Sequence, residues 1–341
     1  MSSVFSAAKI IEATKLISAA NHIVITSHKN PDGDAVGSAL AIYHLLKAAG
    51  KSCCVVLPDE APDFLRWMPC YAEVLHFNTG ASAAQKQIAN ADLIFALDYN
   101  HLGRVGKEME AELRKTSVPF IMIDHHHQPE SLSGVIFSDT DSCSTCQMVY
   151  QFATACLWPV QGAAAECVYC GIITDSGSFR FPSVTAETHT IVAALIAGGL
   201  DHAQIHRLVY DTNLLDRLQL IGYALSNKLE VMPDCAAATV WLDAEELKRF
   251  NHRPGDTEGL VNQALSILGV KVAAFIREGN NEVKISLRSK GTFDVNTYAR
   301  VNWRGGGHTN AAGGSTDETI TDAVARIKNE LHEMKDAIKA S

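Results

Sequence analysis

Long hydrophobic runs and an excess of positive charge are both missing from this sequence of 341 residues. No stretch approaches the roughly 18 uninterrupted apolar residues of a membrane-spanning helix, so we expect no membrane association. Lys and Arg total 29 against 38 Asp and Glu, and the net charge of −9 argues against a protein coated in nucleic acid. With 47% hydrophobic and 20% charged residues, the chain is too apolar to be disordered, and its length suits about two domains.

A secretory signal is also lacking at the start of the sequence. Lys9, Glu12 and Lys15 interrupt the segment 1–20 at helical spacing, which predicts a short amphipathic helix in place of an apolar signal segment. The nine cysteines are an odd number, and without a signal they are typical of free, mostly buried thiols in a reducing compartment. We therefore expect a cytoplasmic location.

Two C-x-x-C pairs, Cys143 with Cys146 and Cys167 with Cys170, have a separation near that of zinc sites. Each pair lies in an apolar, alanine-rich helical pattern and lacks the glycine turn that directs two thiolates toward one ion. We therefore interpret both pairs as buried thiols, with a structural zinc site as the less favoured alternative.

The first part of the chain alternates short apolar stretches with helical patterns. The predicted strands are residues 22–26, 53–57, 92–97 and 119–123, and the predicted helices include 35–49, 105–115, 145–157, 163–173 and 186–197. Fully apolar strands that alternate with helices are typical of a parallel sheet with helices on both faces.

The second part of the chain has a different composition and pattern. It contains one or two predicted helices in 201–229, strands at 235–242, 270–277 and 282–287, a turn at 279–281 and a closing helix at 319–340. We therefore predict an α/β fold in three parts. These are a parallel-sheet catalytic domain with helices on both faces over 1–199, a helical linker over 200–230, and a smaller α+β C-terminal domain over 231–341.

Potential metal ligands follow three of the predicted strands. They are His28, Asp32 and Asp34 after the first strand, Asp98 after the third, and Asp124, His125 and His126 after the fourth. Because open parallel sheets bind ligands beyond the carboxyl ends of their strands, we expect these side chains to meet at one edge. A further candidate, Asp175, ends an apolar helix before a glycine turn.

Each of these positions also has a simpler interpretation. Asp32 or Asp34 could cap the following helix, and Asp175 could be a cap as well. Asp98 and Asp124 could each start a turn after a strand, and the histidines could form a solvated cluster. A cap needs only one aspartate, however, and explains neither His28 nor the second carboxylate. The helix that begins near Ala35 also directs its N–H groups to this region, which favours anions there.

The candidate ligands are four carboxylates and two imidazoles, a set that suits two hard or borderline divalent ions, Mn²⁺ or Mg²⁺, better than a zinc–thiolate site. Two ions about 3.5–4 Å apart lower the pKa of a bridging water, hold the resulting hydroxide in line with phosphorus and stabilise charge on phosphoryl oxygens. One carboxylate should bridge both ions. The pattern therefore favours hydrolysis of a phosphoester or a phosphoanhydride.

A second anion-binding feature lies near the C-terminus. Three successive glycines stand between Arg304 and His308, and such a run allows a backbone to approach phosphate closely. Residues 284–308 contain five Lys and Arg but a single acid, Asp294, in a chain of net charge −9. These features favour an anionic substrate held between two domains. A flexible loop beside a solvated strand face is the alternative.

The ordered motifs resemble those of a known family. The set His28-x-x-x-Asp32-Gly-Asp34-Ala35, Asp98, Asp124-His125-His126 and Asp175 resembles the four motifs of the DHH phosphoesterase superfamily. Arg304-Gly-Gly-Gly-His308 with Ala311-Ala-Gly313 resembles its accessory DHHA1 domain, so the resemblance covers nearly the whole chain. The length and the segment 171–180 are most similar to the small bacterial nanoRNases, which degrade short oligoribonucleotides and dephosphorylate 3′-phosphoadenosine 5′-phosphate.

The resemblance implies roles for individual residues. The first ion would be held by His28 and Asp32, the second by Asp34, His125 and Asp175, and both by Asp98. His126 would contact the scissile phosphate and assist the leaving oxygen, while Asp124 would orient the neighbouring histidines. The substrate's nucleotide would be held by Arg288, Gly305, Gly306, Gly307 and His308. His127 lies outside the motif and receives no role.

The resemblance also implies an activity. A phosphoesterase of this kind would use two divalent ions, Mn²⁺ in preference to Mg²⁺. It would release nucleoside 5′-monophosphates from short single-stranded RNA or dinucleotides and hydrolyse 3′-phosphoadenosine 5′-phosphate. The resemblance does not determine the oligomeric state, for which a homodimer is one alternative. The alternatives are pyrophosphate, polyphosphate or the linear product of a cyclic dinucleotide (pApA) as substrate, or a nucleotide sensor without catalysis.

Overall fold

The computed structural model describes residues 3–279 and 282–341, and the chain divides into two compact units, Met1–Thr212 and Asn213–Ser341. Each unit contains one six-stranded sheet with its own hydrophobic core. The turn predicted at 279–281 includes Asn280 and Asn281, which lie outside the described residues.

The first unit is built on a parallel sheet. Its strands are β1 (Ile23–Thr26), β2 (Cys53–Leu57), β3 (Leu75–His76), β4 (Leu93–Leu97), β5 (Phe120–Asp124) and β6 (Gly134–Ser138). They lie in the order β3-β2-β1-β4-β5-β6, and every neighbouring pair is parallel. The strand order reverses between β1 and β4, and open α/β sheets bind ligands at such a point.

Helices cover both faces of this sheet. They are α1 (Ala7–Ala19), α2 (Gly33–Ala48), α3 (Phe77–Asn90), α4 (Lys107–Lys115), α5 (Thr145–Ala155), α6 (Ala163–Asp175), α7 (Ala186–Ala197) and α8 (His202–Tyr210). Because successive strand residues point to opposite faces, Ile23 and Ile25 of β1 pack in the core with α2, α5 and α6, whereas Val24 packs with α3 and α4. The predicted parallel sheet with helices on both faces is confirmed.

The second unit is a mixed sheet with helices. Its strands are β7 (Leu229–Met232), β8 (Ala237–Leu242), β9 (Val272–Glu278), β10 (Val283–Ser289), β11 (Gly306–His308) and β12 (Ala311–Thr316), in the order β11-β12-β10-β9-β8-β7. Its helices are α9 (Leu215–Asn227), α10 (Ala244–Arg249), α11 (Leu260–Leu265), α12 (Val295–Asn302), α13 (Ile320–Glu333) and α14 (Lys335–Ala340). Strands β8 and β9 are parallel and the other neighbouring pairs are antiparallel, so the predicted α+β architecture is confirmed.

Most of the glycine run before His308 lies in a strand, Gly306–His308, and not in an open loop, while its role in binding the nucleotide stays a prediction. Strand β11 pairs with β12 in antiparallel register. A Cβ on Gly305 would lie 1.9 Å from the Gly313 carbonyl oxygen, and one on Gly307 would lie 2.4 Å from that of Ala311. The glycines are therefore required for the close approach of two backbones within the sheet.

The last predicted helix is interrupted. We expected one helix over 319–340, but Met334, with φ −91° and ψ 7°, separates α13 from α14. The two helices of the predicted linker pack in different cores. Ile205 of α8 belongs to the core of the first unit, and Leu220 of α9 belongs to that of the second.

The four cysteines of the C-x-x-C pairs are buried. Their burial agrees with our interpretation of buried thiols. Within residues 3–279 and 282–341, the groups of potential metal ligands contain no cysteine. Across the same residues, no helix combines the length and hydropathy that a bilayer span requires.

Candidate metal centre

Three strands of the first unit direct their carboxyl ends to one edge of the sheet. His28 follows β1, Asp98 follows β4, and His125 follows β5. The backbone N–H of Asp98 donates to the Ile123 carbonyl at 3.1 Å, which ties the ends of β4 and β5 together. Asp98 has a φ of 62°, in the left-handed region that aspartate tolerates better than most residues. The fold therefore holds Asp98 in an unusual backbone conformation at this edge.

A first group of potential ligands consists of His28, Asp32 and Asp98. The Nε2 atom of His28 lies 3.3 Å from Oδ2 of Asp98 and 3.9 Å from Oδ2 of Asp32. The other oxygen of Asp32 accepts hydrogen bonds of 3.0 Å from the backbone N–H groups of Asp34 and Ala35, so it also caps α2. Asp32 thus caps α2 with one oxygen and directs the other toward His28, and its role as a metal ligand stays a prediction.

A second group consists of Asp34, His125 and Asp175. The Nε2 atom of His125 lies 3.5 Å from Oδ2 of Asp175 and 4.0 Å from Oδ2 of Asp34. Asp34 is in the first turn of α2 and Asp175 is the last residue of α6, so this group depends on the packing of two helices against the end of β5.

Asp98 lies between the two groups. Its Oδ2 faces His28 at 3.3 Å, and its Oδ1 lies 3.6 Å from Nε2 of His125. One carboxylate thus presents a different oxygen to each group. This is the arrangement that a carboxylate bridging two ions requires.

A backbone carbonyl lies against the ring of each of two candidate ligand histidines. Nδ1 of His28 lies 2.9 Å from the Lys29 carbonyl oxygen, and Nδ1 of His125 lies 3.1 Å from that of Ser142. In the neutral ring, an Nδ1–H that donates a hydrogen bond to this carbonyl leaves Nε2 without a proton, so Nε2 could bind an ion on the side of the carboxylates.

Asp124 and His126 form a third contact at the same edge. The fully buried Asp124 accepts from the backbone N–H of His126 at 3.0 Å with one oxygen, and its other oxygen lies 2.8 Å from Nδ1 of the same residue. Nδ1 of His126 is 3.8 Å from Oδ1 of Asp98. His127, which has no predicted role, is exposed, and its carbonyl accepts from Nδ2 of Asn100.

Burial and mutual repulsion perturb the charges of this site. Burial, together with the charges of Asp98 and Asp175, raises the pKa of Asp34 well above its usual value. Burial also raises the pKa of Asp98. The hydrogen bond from His28 and the charge of its ring have a larger, opposite effect, so the pKa of this carboxyl lies below its usual value. Burial lowers the pKa of His125, whereas the charges of Asp175, Asp98 and Asp34 raise it to about 9.

Close helix packing positions Asp34 and Asp175. A Cβ on Gly171 of α6 would lie 2.2 Å from Sγ of Cys146 and 2.8 Å from Oδ1 of Asp34. A Cβ on Gly33 of α2 would lie 2.3 Å from Oγ1 of Thr174. Glycine at both positions lets α2 and α6 approach closely enough to bring their carboxylates to one point.

The donor set fits two divalent cations. Five aspartates and three histidines share this edge, and the ion pairs described for these carboxylates within residues 3–279 all involve histidine. Such a concentration of buried negative charge is costly unless cations balance it. Carboxylate and imidazole ligands without thiolates suit Mn²⁺ or Mg²⁺.

The second unit carries the predicted nucleotide-binding residues. Arg288 lies on the face of β10 opposite to the buried Leu287, and Gly305 to His308 lie at or in β11, next to β12. The basic stretch is partly balanced by acids outside it. Arg304 pairs with Asp317 at 2.8 Å, and Lys284 lies 3.8 Å from Glu282.

The segment 142–146 contacts three of the predicted ligands, and sequence reasoning missed it. The side chain and backbone of Thr145 donate to Asp98 and Asp34, and the Ser142 carbonyl faces His125. The predicted start of a helix at Thr145 was the signal in the sequence, because helix N-termini favour carboxylates.

Comparisons with known proteins agree with these motifs. Residues 22–172 match the DHH family, N-terminal domain, and residues 235–339 match the DHHA1 domain. The bifunctional oligoribonuclease and PAP phosphatase NrnA of Thermus thermophilus is 31% identical, and the match covers 91% of this chain and 90% of that protein. The Bacillus subtilis protein of the same name is 24% identical, with coverage of 89% and 92%.

A crystal structure also resembles the whole chain. An exopolyphosphatase-related protein from Bacteroides fragilis has a TM-score of 0.94 and 38% identity, and the match covers 99% of this chain and 100% of that one. The residues from His28 to His126 lie within the DHH match, and Arg288 and His308 lie within the DHHA1 match. This chain therefore belongs to the DHH phosphoesterase family with a DHHA1 domain, and it is a hydrolase.

Proposed function

We propose that this hydrolase cleaves very short RNA to nucleoside 5′-monophosphates and also dephosphorylates 3′-phosphoadenosine 5′-phosphate. The observation that carries the proposal is the position of Asp98, with one oxygen toward His28 and the other toward His125. The bifunctional names of the Thermus thermophilus and Bacillus subtilis relatives support the choice of substrates.

In this proposal the first unit holds two divalent ions, with Mn²⁺ preferred because imidazoles stand beside the carboxylates. His28 and Asp32 hold one ion, Asp34, His125 and Asp175 hold the other, and Asp98 contacts both. When bound, such ions lower the pKa of water and neutralise charge on phosphoryl oxygens.

The chain's own residues orient the substrate and move protons. Asp124 fixes the ring of His126 through Nδ1, and we assign His126 to the scissile phosphate and the leaving oxygen. We assign binding of the nucleotide to Arg288 and to residues Gly305 to His308. The second unit is then the substrate-binding domain. A guanidinium suits this task because it donates two parallel hydrogen bonds to phosphate.

A substrate panel tests the proposal. Purified protein is incubated with Mn²⁺ or with chelator and given pApA, RNA of two to seven nucleotides, a long RNA, 3′-phosphoadenosine 5′-phosphate, pyrophosphate and polyphosphate. We expect Mn²⁺-dependent release of nucleoside 5′-monophosphates from the shortest RNAs and of phosphate from 3′-phosphoadenosine 5′-phosphate, with little action on long RNA.

The other outcomes separate the alternatives. Faster turnover of pyrophosphate or polyphosphate than of any dinucleotide would contradict the proposed substrate class. Hydrolysis of pApA and of no other substrate would restrict the enzyme to the linear product of a cyclic dinucleotide. Binding of these nucleotides with no hydrolysis under any ion would identify a sensor and refute the proposal.

A further inference from the structure

The segment 142–146 joins the metal-centre residues of three separate elements. It lies immediately before and within the first turn of α5, and it contains the first C-x-x-C pair. The residues that it contacts are Asp34 in α2, Asp98 after β4 and His125 after β5.

The contacts of this segment are short and buried. The backbone N–H of Thr145 donates to Oδ2 of Asp34 at 2.6 Å, and that of Cys146 donates to Oδ1 at 2.8 Å. The hydroxyl of Thr145 donates to Oδ1 of Asp98 at 2.9 Å. The Thr145 side chain is fully buried, so water does not compete for these carboxylates.

The Thr145 hydroxyl restricts how Asp98 is oriented. A carboxylate can bind one ion with both oxygens or share its oxygens between two ions, and rotation of its side chain interconverts these arrangements. A donor fixed on Oδ1 leaves that oxygen directed toward His125 and keeps Oδ2 directed toward His28. The amide of the same residue holds Asp34, which belongs to the second group.

We propose that Thr145 is a positioning residue that keeps Asp98 in the bridging orientation and so makes the second ion bind. This inference rests on the proposed two-ion function. Cys143 and Cys146, the two cysteines of the first C-x-x-C pair, are buried on either side of Thr145 in the chain. Sγ of Cys143 contacts Gln147, and Sγ of Cys146 contacts the carbonyl of Asp34.

The test compares Thr145→Val, which removes the hydroxyl at nearly constant volume, with Thr145→Ser, which keeps it. Mn²⁺ binding is measured by calorimetry, and the Mn²⁺ pair is detected by electron paramagnetic resonance, because two bridged ions give an exchange-coupled spectrum that single ions lack. Thr188→Val is the matched control. Thr188 is also fully buried, and its hydroxyl donates to Gln147 at 2.7 Å and not to an aspartate.

We expect Thr145→Val to bind the first ion nearly as the wild type does, to bind the second about 10–100-fold more weakly, and to lose the coupled spectrum. Thr145→Ser and Thr188→Val should retain both. The melting temperature in chelator verifies that each variant is folded, and Thr145→Ala replaces Thr145→Val if the latter is not.

Two results would overturn the inference in different ways. A coupled spectrum and unchanged affinities in Thr145→Val would show that the hydroxyl does not position Asp98, while the two-ion proposal would stand. A wild type that binds no coupled pair would refute the two-ion proposal and this inference together.

Discussion

Asp98 has a strained backbone conformation, and its side chain faces both groups of potential ligands. A residue other than glycine in the left-handed region costs on the order of 1 kcal/mol or more, and such residues persist where the surroundings fix them. Here the surroundings are the Ile123 carbonyl on the backbone and His28, His125 and Thr145 on the carboxylate. The strain is therefore located at the one residue that faces both ligand groups.

Replacing Asp98 by asparagine should remove turnover. Asp98→Asn keeps the volume but removes the charge that both ions share, so we expect kcat on a dinucleotide to fall by roughly 10³-fold or more. Steady-state kinetics with Mn²⁺ measures this. Asp141→Asn, at an exposed aspartate of the same unit, is the control and should retain activity. An Asp98→Asn enzyme with a near-wild-type rate would remove Asp98 from the bridging role.

Metal binding should depend on pH through His125. Its pKa of about 9 without ions means that the ring is protonated at pH 7, whereas an ion requires the neutral imidazole. Binding must displace this proton, so the affinity for Mn²⁺ should rise between pH 6 and pH 8, by about tenfold per pH unit for each proton released. Calorimetry in two buffers with different ionisation enthalpies counts the protons. Affinity that is independent of pH, with no buffer effect, would contradict this assignment.

The candidate ligand residues were accessible to sequence reasoning because each follows a recognisable apolar element. His28, Asp98 and His125 come directly after strands of a parallel sheet, and the carboxyl ends of such strands share an edge. Thr145 was not accessible in this way. Its role depends on the direction in which α5 approaches the sheet, and spacing along the chain does not encode that direction.

Among the elements, α2 and α6 determine the second ligand group. Their contact is close because Gly33 and Gly171 leave no room for a side chain. Asp34 at the start of α2 and Asp175 at the end of α6 both lie at the sheet edge as a result. The geometry of the site therefore depends on helix packing as well as on the strands.

A methyl group on Gly171 should disturb both packing and metal binding. Gly171→Ala would place Cβ against Cys146 and Asp34, and overpacking of this kind costs about 1–3 kcal/mol of the free energy of unfolding. We also expect weaker Mn²⁺ binding because Asp34 must move. Denaturant unfolding in chelator and calorimetry with Mn²⁺ measure the two effects.

The matched control is Gly222→Ala. Gly222 lies inside α9, exposed, and an added Cβ would meet no atom within 4 Å. Alanine there should stabilise the protein by about 0.5–1 kcal/mol through helix propensity and leave metal binding unchanged. Equal effects of the two substitutions would show that the α2–α6 contact is not what holds Asp34.

Several elements could be predicted and others could not. Strand β2 lies within the predicted bounds because it is a continuous apolar run, and helix α7 does so because it is bounded by the Thr185 cap and by Gly198. Strand β3 has two residues, too few for a periodic pattern, and β11 consists of Gly306, Gly307 and His308, which have low strand propensity. Their pairing partners determine these strands, and local sequence preference does not.

The whole molecule is negatively charged, and it would repel an anionic substrate unless bound cations offset that charge. The chain has a net charge of −9, and five aspartates share the sheet edge, yet the proposed substrates are polyanions. Two divalent ions would bring four positive charges to this edge. These five aspartates belong to the first unit, whereas Arg288 of β10 belongs to the second.

The most direct test of this account is anomalous diffraction from crystals grown with Mn²⁺, measured on both sides of the manganese absorption edge. We predict two peaks about 3.5–4 Å apart, one beside His28 and Asp32 and one beside Asp34, His125 and Asp175, with Asp98 between them. A single peak, or peaks away from Asp98, would contradict the claim that these six residues hold a pair of ions.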